Sequence, residues 1–309
     1  MLFVSADRNN GTFDITDTSD GVVENINRET LIYLVKNGVR IYGVSNNYRV
    51  KAFRNEHDII KQYQLQCELS GIVAPKFSVE RVGTVSNIVL SRVGVDYVTS
   101  FNVPEFVTVI GEKAFSDCSI LADVTLPDGL IRIEEYAFEN CYSIKNISIP
   151  KTVTHIGKGA FSHCRELEQI VIPNSITELP DRIFYRSVGL EKVVLPETLT
   201  SIGEYAFSTC VRLPELVIPD SVKEIHQRAF EFCTSLASVR LPKELVRIRD
   251  MVFWNCSSLK RLNIPRSVIG ISVQAFKDCS KLIVSCEEGS YAETYCKNNL
   301  IQYSIGETD

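Results

Sequence analysis

The sequence lacks the features that mark several large classes of protein. No apolar run is longer than a strand, so we expect no membrane insertion. There is no glycine-rich phosphate loop, nucleophile elbow or H-E-x-x-H pattern, and no C-x-x-C pair that would cluster metal ligands. The four histidines are scattered and are expected on the surface: His57, His155, His163 and His226. The sequence therefore predicts a protein that is not an enzyme and holds no metal ion and no cofactor.

An excess of charge of one sign is also missing. Lysine and arginine number 33 against 38 acidic residues, which gives a formal net charge of −5 and argues against a nucleic-acid partner. The charge is unevenly placed, with a net −6 over residues 101–218 and +5 over residues 219–281. This asymmetry either steers an acidic partner or is an ordinary solvated surface.

The first residues, Met1-Leu2-Phe3-Val4, show no basic segment followed by a long apolar stretch, as a secretory signal peptide would. If Met1 is the natural start, we expect a cytoplasmic protein. If the natural chain starts earlier, secretion or a cell-surface location is the alternative.

What is present is a strict repeat. Phenylalanine stands eleven residues after each of eight prolines that recur every 23 residues without an insertion or deletion. A period of this length predicts a solenoid, in which each unit buries its apolar face only against its neighbours. The prolines are Pro104, Pro127, Pro150, Pro173, Pro196, Pro219, Pro242 and Pro265, and the phenylalanines are Phe115, Phe138, Phe161, Phe184, Phe207, Phe230, Phe253 and Phe276.

One unit contains a strand, a corner and a return. Alternation before the proline predicts a short strand, as at Val124 and Leu126 with Thr125 facing outward. Proline ends that strand because it has no N–H to donate. A second extended piece ends at a glycine such as Gly157, and a helical or irregular return begins at Phe161. We expect the phenylalanines to stack as a spine along the solenoid.

The unit x-I-P-x-x-V-T-x-I-G-x-x-A-F-x-x-C-x-x-L-x-x-V resembles the 23-residue leucine-rich repeat of BspA-like and Treponema-type bacterial surface proteins. The resemblance covers residues 98–284, about 60% of the chain. It implies an α/β solenoid, a right-handed superhelix of about eight coils. It also implies a binding protein, often adhesin-like at the cell surface. Residues 288–299 resemble the element that closes such arrays, with Ser290 as helix N-cap and Glu293 at the capping-box position.

Four regions follow from this pattern. Residues 1–75 lack the repeat and are expected to form a small α+β domain, with strands at 2–5, 12–16 and 39–44 and helices at 28–37 and 56–66. Residues 76–103 are the transition and amino-terminal cap, with strands at 77–82 and 87–93. Residues 104–284 are the solenoid, and residues 285–309 are the carboxy-terminal capping segment.

Seven of the ten cysteines occupy one repeat position, fourteen residues after the proline, and Ser187 replaces the eighth. Their side chains are expected to enter the core in parallel and not to face each other, which favours a buried ladder of reduced thiols over disulfides. The fourth repeat departs furthest from the pattern, since Pro180, Ile183 and Ser187 replace glycine, alanine and cysteine. Neutral drift and a functional kink both account for that departure.

Because packing fixes the inward positions, a binding site is expected on the outward ones. The outward strand position, two residues before each proline, carries three adjacent valines followed by an arginine. Charged residues lie beside them, and an apolar patch with a charged rim is typical of a protein-binding surface. The alternative is that valine is simply a favourable strand residue. The candidate binding residues are Val171, Val194, Val217, Arg240, Glu168, Glu191, Lys192 and Glu215.

The sequence thus predicts a non-enzymatic interaction module that presents a rigid repeat surface to a protein partner. Two alternatives stay open. The chain is either an intracellular scaffold or phage- or toxin-system module that acts mainly through residues 1–75, or a small-ligand-binding or enzymatic amino-terminal unit with the solenoid as a targeting arm. The partner's identity and the oligomeric state are not encoded in any pattern that we recognise.

Overall fold

The computed structural model describes residues 2–7, 12–17, 23–27, 41–43, 56–69, 74–82, 85–93 and 98–306. The chain divides into two compact units, Met1–Ser86 and Asn87–Asp309. The helix predicted at residues 28–37 lies outside the described residues. No helix among the described residues is long and apolar enough to cross a bilayer.

The elements of the first unit are β1 Leu2–Asp7, β2 Thr12–Asp17, β3 Val23–Asn27, β4 Ile41–Gly43, α1 Glu56–Leu69 and β5 Lys76–Val82. The first four strands form a sheet in the order β3-β2-β1-β4. β1 pairs antiparallel with β2 and parallel with β4, and β2 pairs antiparallel with β3. Strand β3 was not predicted. Tyr63 on helix α1 packs edge-to-face against Phe77 at 5.7 Å between ring centroids.

The second unit is the predicted solenoid, in which each 23-residue coil contributes a strand before its proline and a shorter one after it. The strands in chain order are β6 Val85–Arg92, β7 Ser100–Asn102, β8 Val109–Ile110, β9 Asp123–Thr125, β10 Arg132–Ile133, β11 His155–Ile156, β12 Gln169–Val171, β13 Glu178–Leu179, β14 Lys192–Val194, β15 Ser201–Ile202, β16 Glu215–Val217, β17 Glu224–Ile225, β18 Ser238–Arg240, β19 Arg247–Ile248, β20 Arg261–Asn263, β21 Gly270–Ile271, β22 Ile283–Cys286 and β23 Gln302–Ile305. We call the outer surface of the strands before the prolines the front face (β7, β9, β12, β14, β16, β18, β20, β22). The outer surface of the shorter strands is the back face (β8, β10, β11, β13, β15, β17, β19, β21).

The coils number about nine, one more than the periodic prolines. Strand β22 pairs with β20 at a spacing of 22 residues, since Asn263 lies opposite Ser285. The last coil is therefore one residue shorter than the others, and Glu287 stands at the position that a ninth proline would occupy. The repeat alone did not identify this coil, because the proline that marks the other strands is missing from it.

The return segment is neither a helix nor an irregular loop. Its alternate N–H groups donate to carbonyl groups of the next coil, as Phe138 N does to Ala160 O at 2.8 Å and Asn140 N to Ser162 O at 3.1 Å. Left-handed backbone recurs nine and thirteen residues after the prolines, for example at Tyr136 (φ 54°). We call this third surface the turn edge (residues 113–117, 136–140 and their equivalents every 23 residues). The helical turn predicted at Phe161 does not form as a continuous helix. Ser162 N donates within the segment to Gly159 O at 2.9 Å, but Phe161 N donates to Ile183 O of the next coil at 3.0 Å.

The phenylalanines form the predicted spine. Neighbouring rings lie 4.8 to 6.1 Å apart between centroids, from Phe115 to Phe276. The longest step, 6.1 Å, joins Phe161 to Phe184, and the step from Phe184 to Phe207 is tilted by 32°. Both steps involve Phe184, which follows the buried Ile183 where most other repeats have alanine.

The strand ladders are interrupted at four coil boundaries, and the interruptions alternate between faces. On the front face, pairing recorded among the described residues stops between β9 and Asn146 and between β14 and β16. On the back face it stops between β11 and β13 and between β17 and β19. Two interruptions coincide with prolines outside the 23-residue period. Glu191 N and Gly203 N each donate to a carbonyl group of the previous coil. Pro214 stands 23 residues after Glu191 and Pro180 stands 23 residues before Gly203, and proline has no N–H to make the equivalent bond.

The far end of the solenoid is closed by helix α2, Tyr291–Asn299, and by β23, which pairs parallel with β22. Ser290 is the N-cap and accepts from Glu293 N at 3.2 Å, which confirms the predicted cap. The Glu293 carboxylate accepts in turn from Gly289 N at 2.8 Å. Tyr295 on this helix packs against Phe276 at 6.1 Å, so the helix covers the last ring of the spine.

Candidate functional site

The three predicted valines lie on the front face with their side chains in solvent. The exposed fractions are 60% for Val171, 43% for Val194 and 61% for Val217. The alternation of each strand explains this, since the residue between two outward ones, such as Ile170 or Leu216, is buried. The structure thus brings together three large apolar side chains that ordinary packing would have covered.

The valines do not belong to one continuous ladder. Val171 lies opposite Val194 in the parallel pair of β12 and β14, and Val217 lies opposite Arg240 in the pair of β16 and β18. The step between Val194 and Val217 crosses the interruption at Pro214. The face therefore consists of a two-valine segment and a valine–arginine segment.

The charged residues predicted beside the valines are all exposed, and ion pairs hold two of them. Arg240 donates from Nη2 to Asp220 Oδ2 at 2.6 Å, and Glu191 lies 3.6 Å from Arg212. The Asp220 carboxyl also accepts from Lys243 N, and these bonds lower its pKa below the ordinary value, the backbone bond most of all. The other three predicted charged residues, Glu168, Lys192 and Glu215, form no ion pair among the described residues.

The cysteines occupy the interior as predicted, and none is paired. Each ladder thiol from Cys141 onward donates to the carbonyl oxygen of a phenylalanine one coil earlier at 3.0 to 3.2 Å, as Cys233 Sγ does to Phe207 O. Burial raises the pKa of Cys164 to about 12 and that of Cys233 to about 12. In the part of the chain that the structure describes, no three His, Cys, Asp or Glu side chains are placed to hold a metal ion.

Among the described residues, one histidine contacts a nucleophilic side chain. His163 Nδ1 lies 3.0 Å from Ser162 Oγ, but Ser162 is only 2% exposed. The charged groups that act on His163 are Arg186 and Arg165, where a catalytic dyad would need a carboxylate. His155 and His226 lie 3.9 and 3.5 Å from glutamates on the back face. These arrangements offer a substrate no activated nucleophile.

An open groove of about 560 Å³ lies on the back face, where β17 and β19 do not pair. His226, Arg247, Ile269 and Tyr291 line it. Its walls mix acids, bases and exposed apolar groups without convergence on one point, so its chemistry favours no particular ligand.

Sequence reasoning missed the turn edge, where arginines stack on tyrosine rings. The residues that form these stacks come from positions with left-handed backbone or next to it, such as Arg182 (φ 57°) and Arg186 (φ 58°). The only signal in the sequence was the crowding of Arg182, Tyr185 and Arg186 in the atypical fourth repeat.

Comparison with known proteins agrees with this geometry. The family profile described as the BspA type leucine rich repeat region, in six copies, matches residues 94–213 and 177–296. No curated protein matches the chain in sequence.

Several solved bacterial leucine-rich-repeat structures are similar. The Treponema pallidum leucine rich repeat protein is 26% identical, over 74% of this chain and 95% of its own, with a TM-score of 0.49. A leucine rich cell surface protein of Faecalibacterium prausnitzii A2-165 is 24% identical, over 74% and 86%, with a TM-score of 0.37. The pneumococcal vaccine antigen PcpA is 17% identical, over 67% and 68%, with a TM-score of 0.39.

Proposed function

Since the chain belongs to the BspA type leucine-rich-repeat family, we propose that it is a non-enzymatic module that binds a protein partner through its front face. The observation that carries this proposal is the exposure of Val171, Val194 and Val217 at equivalent positions of three successive front strands. Exposed apolar side chains with a charged rim are typical of protein interfaces. About half of residues 1–75, through which the alternatives would act, lie outside the described residues.

The surface is rigid before a partner arrives. Hydrogen bonds to neighbouring coils hold each front strand, and the buried phenylalanine spine supports it from within. When a partner docks on such a face, the solenoid loses little conformational entropy, so more of the contact energy contributes to affinity. We infer that the face binds with little change of shape.

Charge around the valines favours a partner with basic groups at its edge. Beside the apolar residues, Glu168 and Glu215 form no ion pair among the described residues, and Lys192 is the one predicted cation that also forms none. Glu191 is already paired with Arg212. Arg240 is already engaged by Asp220. The complementary partner surface is therefore apolar at its centre and basic at its rim.

The test compares affinity capture by wild type with capture by a V171D/V194D/V217D variant. A V246D/I269D/V273D variant is the matched control, because those three residues, which flank β19 and β21, are also exposed, at 45, 64 and 77%. Circular dichroism first establishes that all three proteins fold. We expect a partner that wild type and the control retain and the front-face variant loses, and a purified partner then gives the affinity. Equal capture by all three would refute the front-face assignment.

An adhesin-like role is the more specific proposal within this function. It requires the solenoid to be displayed outside the cell, which labelling of intact cells with an antibody to the front face would detect. Signal only after cell lysis would restrict the proposal to an intracellular interaction module.

A further inference from the structure

Three arginines on or beside the turn edge are stacked on tyrosine rings. In each pair the guanidinium carbon lies within about 6 Å of the ring centroid, the range of a cation–π interaction. The pairs are Arg165 over Tyr142 at 4.5 Å, Arg182 over Tyr205 at 5.2 Å and Arg186 over Tyr185 at 5.3 Å. We call Arg165, Arg182 and Arg186 the stacked-arginine cluster.

The cluster is held in place before any ligand binds. Tyr185 and Tyr205 contact each other edge-to-face at 6.1 Å, and His163 packs against Tyr185 at 5.4 Å. Arg182 N and Arg186 N donate to carbonyl groups of the next coil at 2.8 and 2.9 Å. Ring stacking and fixed backbone limit the freedom of these long side chains, so less entropy is lost when they bind.

The stacked arginines have no internal carboxylate partner. Among the described residues, no carboxylate oxygen lies within 4.0 Å of Arg165, Arg182 or Arg186. Stacking occupies the face of a guanidinium group and leaves its in-plane N–H donors free. Six other arginines do form ion pairs: Arg132, Arg212, Arg228, Arg240, Arg249 and Arg266.

A fourth stacked arginine, Arg228, differs from the cluster because it also has a carboxylate partner. Arg228 lies over Tyr205 at 5.6 Å and over Trp254 at 5.8 Å. Its Nη1 atom donates to Glu231 Oε1 at 3.1 Å, and Glu231 is only 4% exposed. In this one case the solenoid supplies the carboxylate from within the coil, and in the cluster it does not.

The electrostatics around His163 agree with this geometry. Burial, and then the charges of Arg186 and Arg165, lower the pKa of His163 below its ordinary value of 6.5. No carboxylate contributes in the opposite direction. The cluster is therefore a local positive site within residues 101–218, a segment whose net charge is −6.

We propose that the stacked-arginine cluster binds a short acidic segment of a partner protein, whose carboxylates accept from the free guanidinium N–H groups. The acidic surroundings argue against a long polyanion such as nucleic acid, because its closely spaced phosphates would extend beyond the three arginines. This site lies on the turn edge and does not depend on the valines of the front face.

Fluorescence anisotropy on the full chain tests the proposal with three labelled probes. These are a peptide rich in Asp and Glu, the same peptide with Asn and Gln in their place, and a single-stranded oligonucleotide. The variants are R165Q/R182Q/R186Q and the charge-preserving R165K/R182K/R186K. The control R249Q/R261Q/R266Q removes the same charge elsewhere, and V171D/V194D/V217D separates this site from the front face.

We expect wild type to bind the acidic peptide and not the amide peptide. The glutamine variant should bind about tenfold more weakly, and the lysine variant about threefold, because lysine keeps the charge but loses the planar fork. The control and the valine variant should bind as wild type does. The proposal is overturned if wild type does not bind the peptide, if either cluster variant binds as well as wild type, or if the oligonucleotide binds more tightly than the peptide.

Discussion

The Oγ atom of Ser187 donates a 2.7 Å hydrogen bond to the carbonyl oxygen of Phe161, one coil earlier. The Ser187 Oγ atom also accepts a hydrogen bond from Cys164 N at 3.2 Å. Cys164 and Cys210, on either side, make the equivalent bond to a phenylalanine carbonyl through sulfur. Ser187 therefore preserves the hydrogen bond of the thiol ladder in the repeat that otherwise departs furthest from the pattern.

We predict that Ser187→Cys leaves the stability almost unchanged, because sulfur restores the bond that its neighbours make. Ser187→Ala should lower the free energy of unfolding by about 1–3 kcal/mol, because it leaves buried polar groups of Phe161 and Cys164 without a partner. Urea unfolding followed by circular dichroism measures both. Equal stability of the alanine and cysteine variants would contradict this role.

Removal of a phenylalanine side chain from the middle of the spine should lower the free energy of unfolding strongly. Phe207 is fully buried between Phe184 and Phe230, at 5.4 and 5.3 Å between centroids. Phe207→Ala should destabilise the protein by about 3–5 kcal/mol, since both neighbouring rings lose a contact and a cavity remains. A loss below about 1 kcal/mol in urea unfolding would mean that the coils collapse around the gap.

Gly157 is required by the close approach of two coils. A Cβ atom there would lie 2.6 Å from the backbone carbon of Glu134. Gly157→Ala should therefore lower the free energy of unfolding by about 2 kcal/mol or more. Gly129→Ala is the control, because its Cβ atom would meet nothing nearer than Glu105 O at 4.0 Å, and we expect a change within about 0.5 kcal/mol.

The ladder thiols should resist alkylation until the coils separate. Burial raises the pKa of Cys164 to about 12 and that of Cys279 to about 11, so little thiolate is present at about pH 8. Mass spectrometry of native protein treated with iodoacetamide should find Cys279, the least buried of the ladder, modified before the others. In urea all ten cysteines should react. Rapid modification of Cys164 in the native protein would show that the core opens.

His163 should make the protein less stable in acid. Its pKa in the folded protein lies below 6.5, so the unfolded chain takes up a proton there that the native protein does not. Stability is thus lost as the pH falls below about 6.5 and is fully retained above it. Urea unfolding at about pH 7 and about pH 5 should show a smaller loss for His163→Gln than for wild type. The same loss of stability in wild type and His163→Gln would contradict this role of His163.

Much of the solenoid could be predicted because its period is visible in single residue types. Each periodic proline follows a front strand and each periodic phenylalanine enters the spine, so counting predicted eight of the coils, and alternation placed Val171 outward. The turn edge could not be predicted. Its left-handed positions carry residues such as Lys113 (φ 54°) and Arg182 (φ 57°) instead of glycine, because bonds to the next coil impose that backbone.

The candidate site on the front face could be predicted from the sequence only in part, for a related reason. Exposure of the three valines follows from strand alternation within a single unit. The break between Val194 and Val217 depends on which N–H of one coil meets which carbonyl of the previous coil. Pro214 was visible in the sequence, but its effect appears only once the register of β14 and β16 is known.

The staggered interruptions have a mechanical consequence. At each boundary where front pairing is missing, the back strands pair. Where back pairing is missing, the front face is joined either by β16 and β18 or by the single bridge between Asn146 and Gln169. A load pulling the two ends of the solenoid apart therefore meets no plane through which strand bonds are absent on both faces. Separation of the coils at Pro214 would have to break the hydrogen bonds between β15 and β17 on the back face as well. Each missing front or back pairing is therefore bridged by strand pairing on the opposite face.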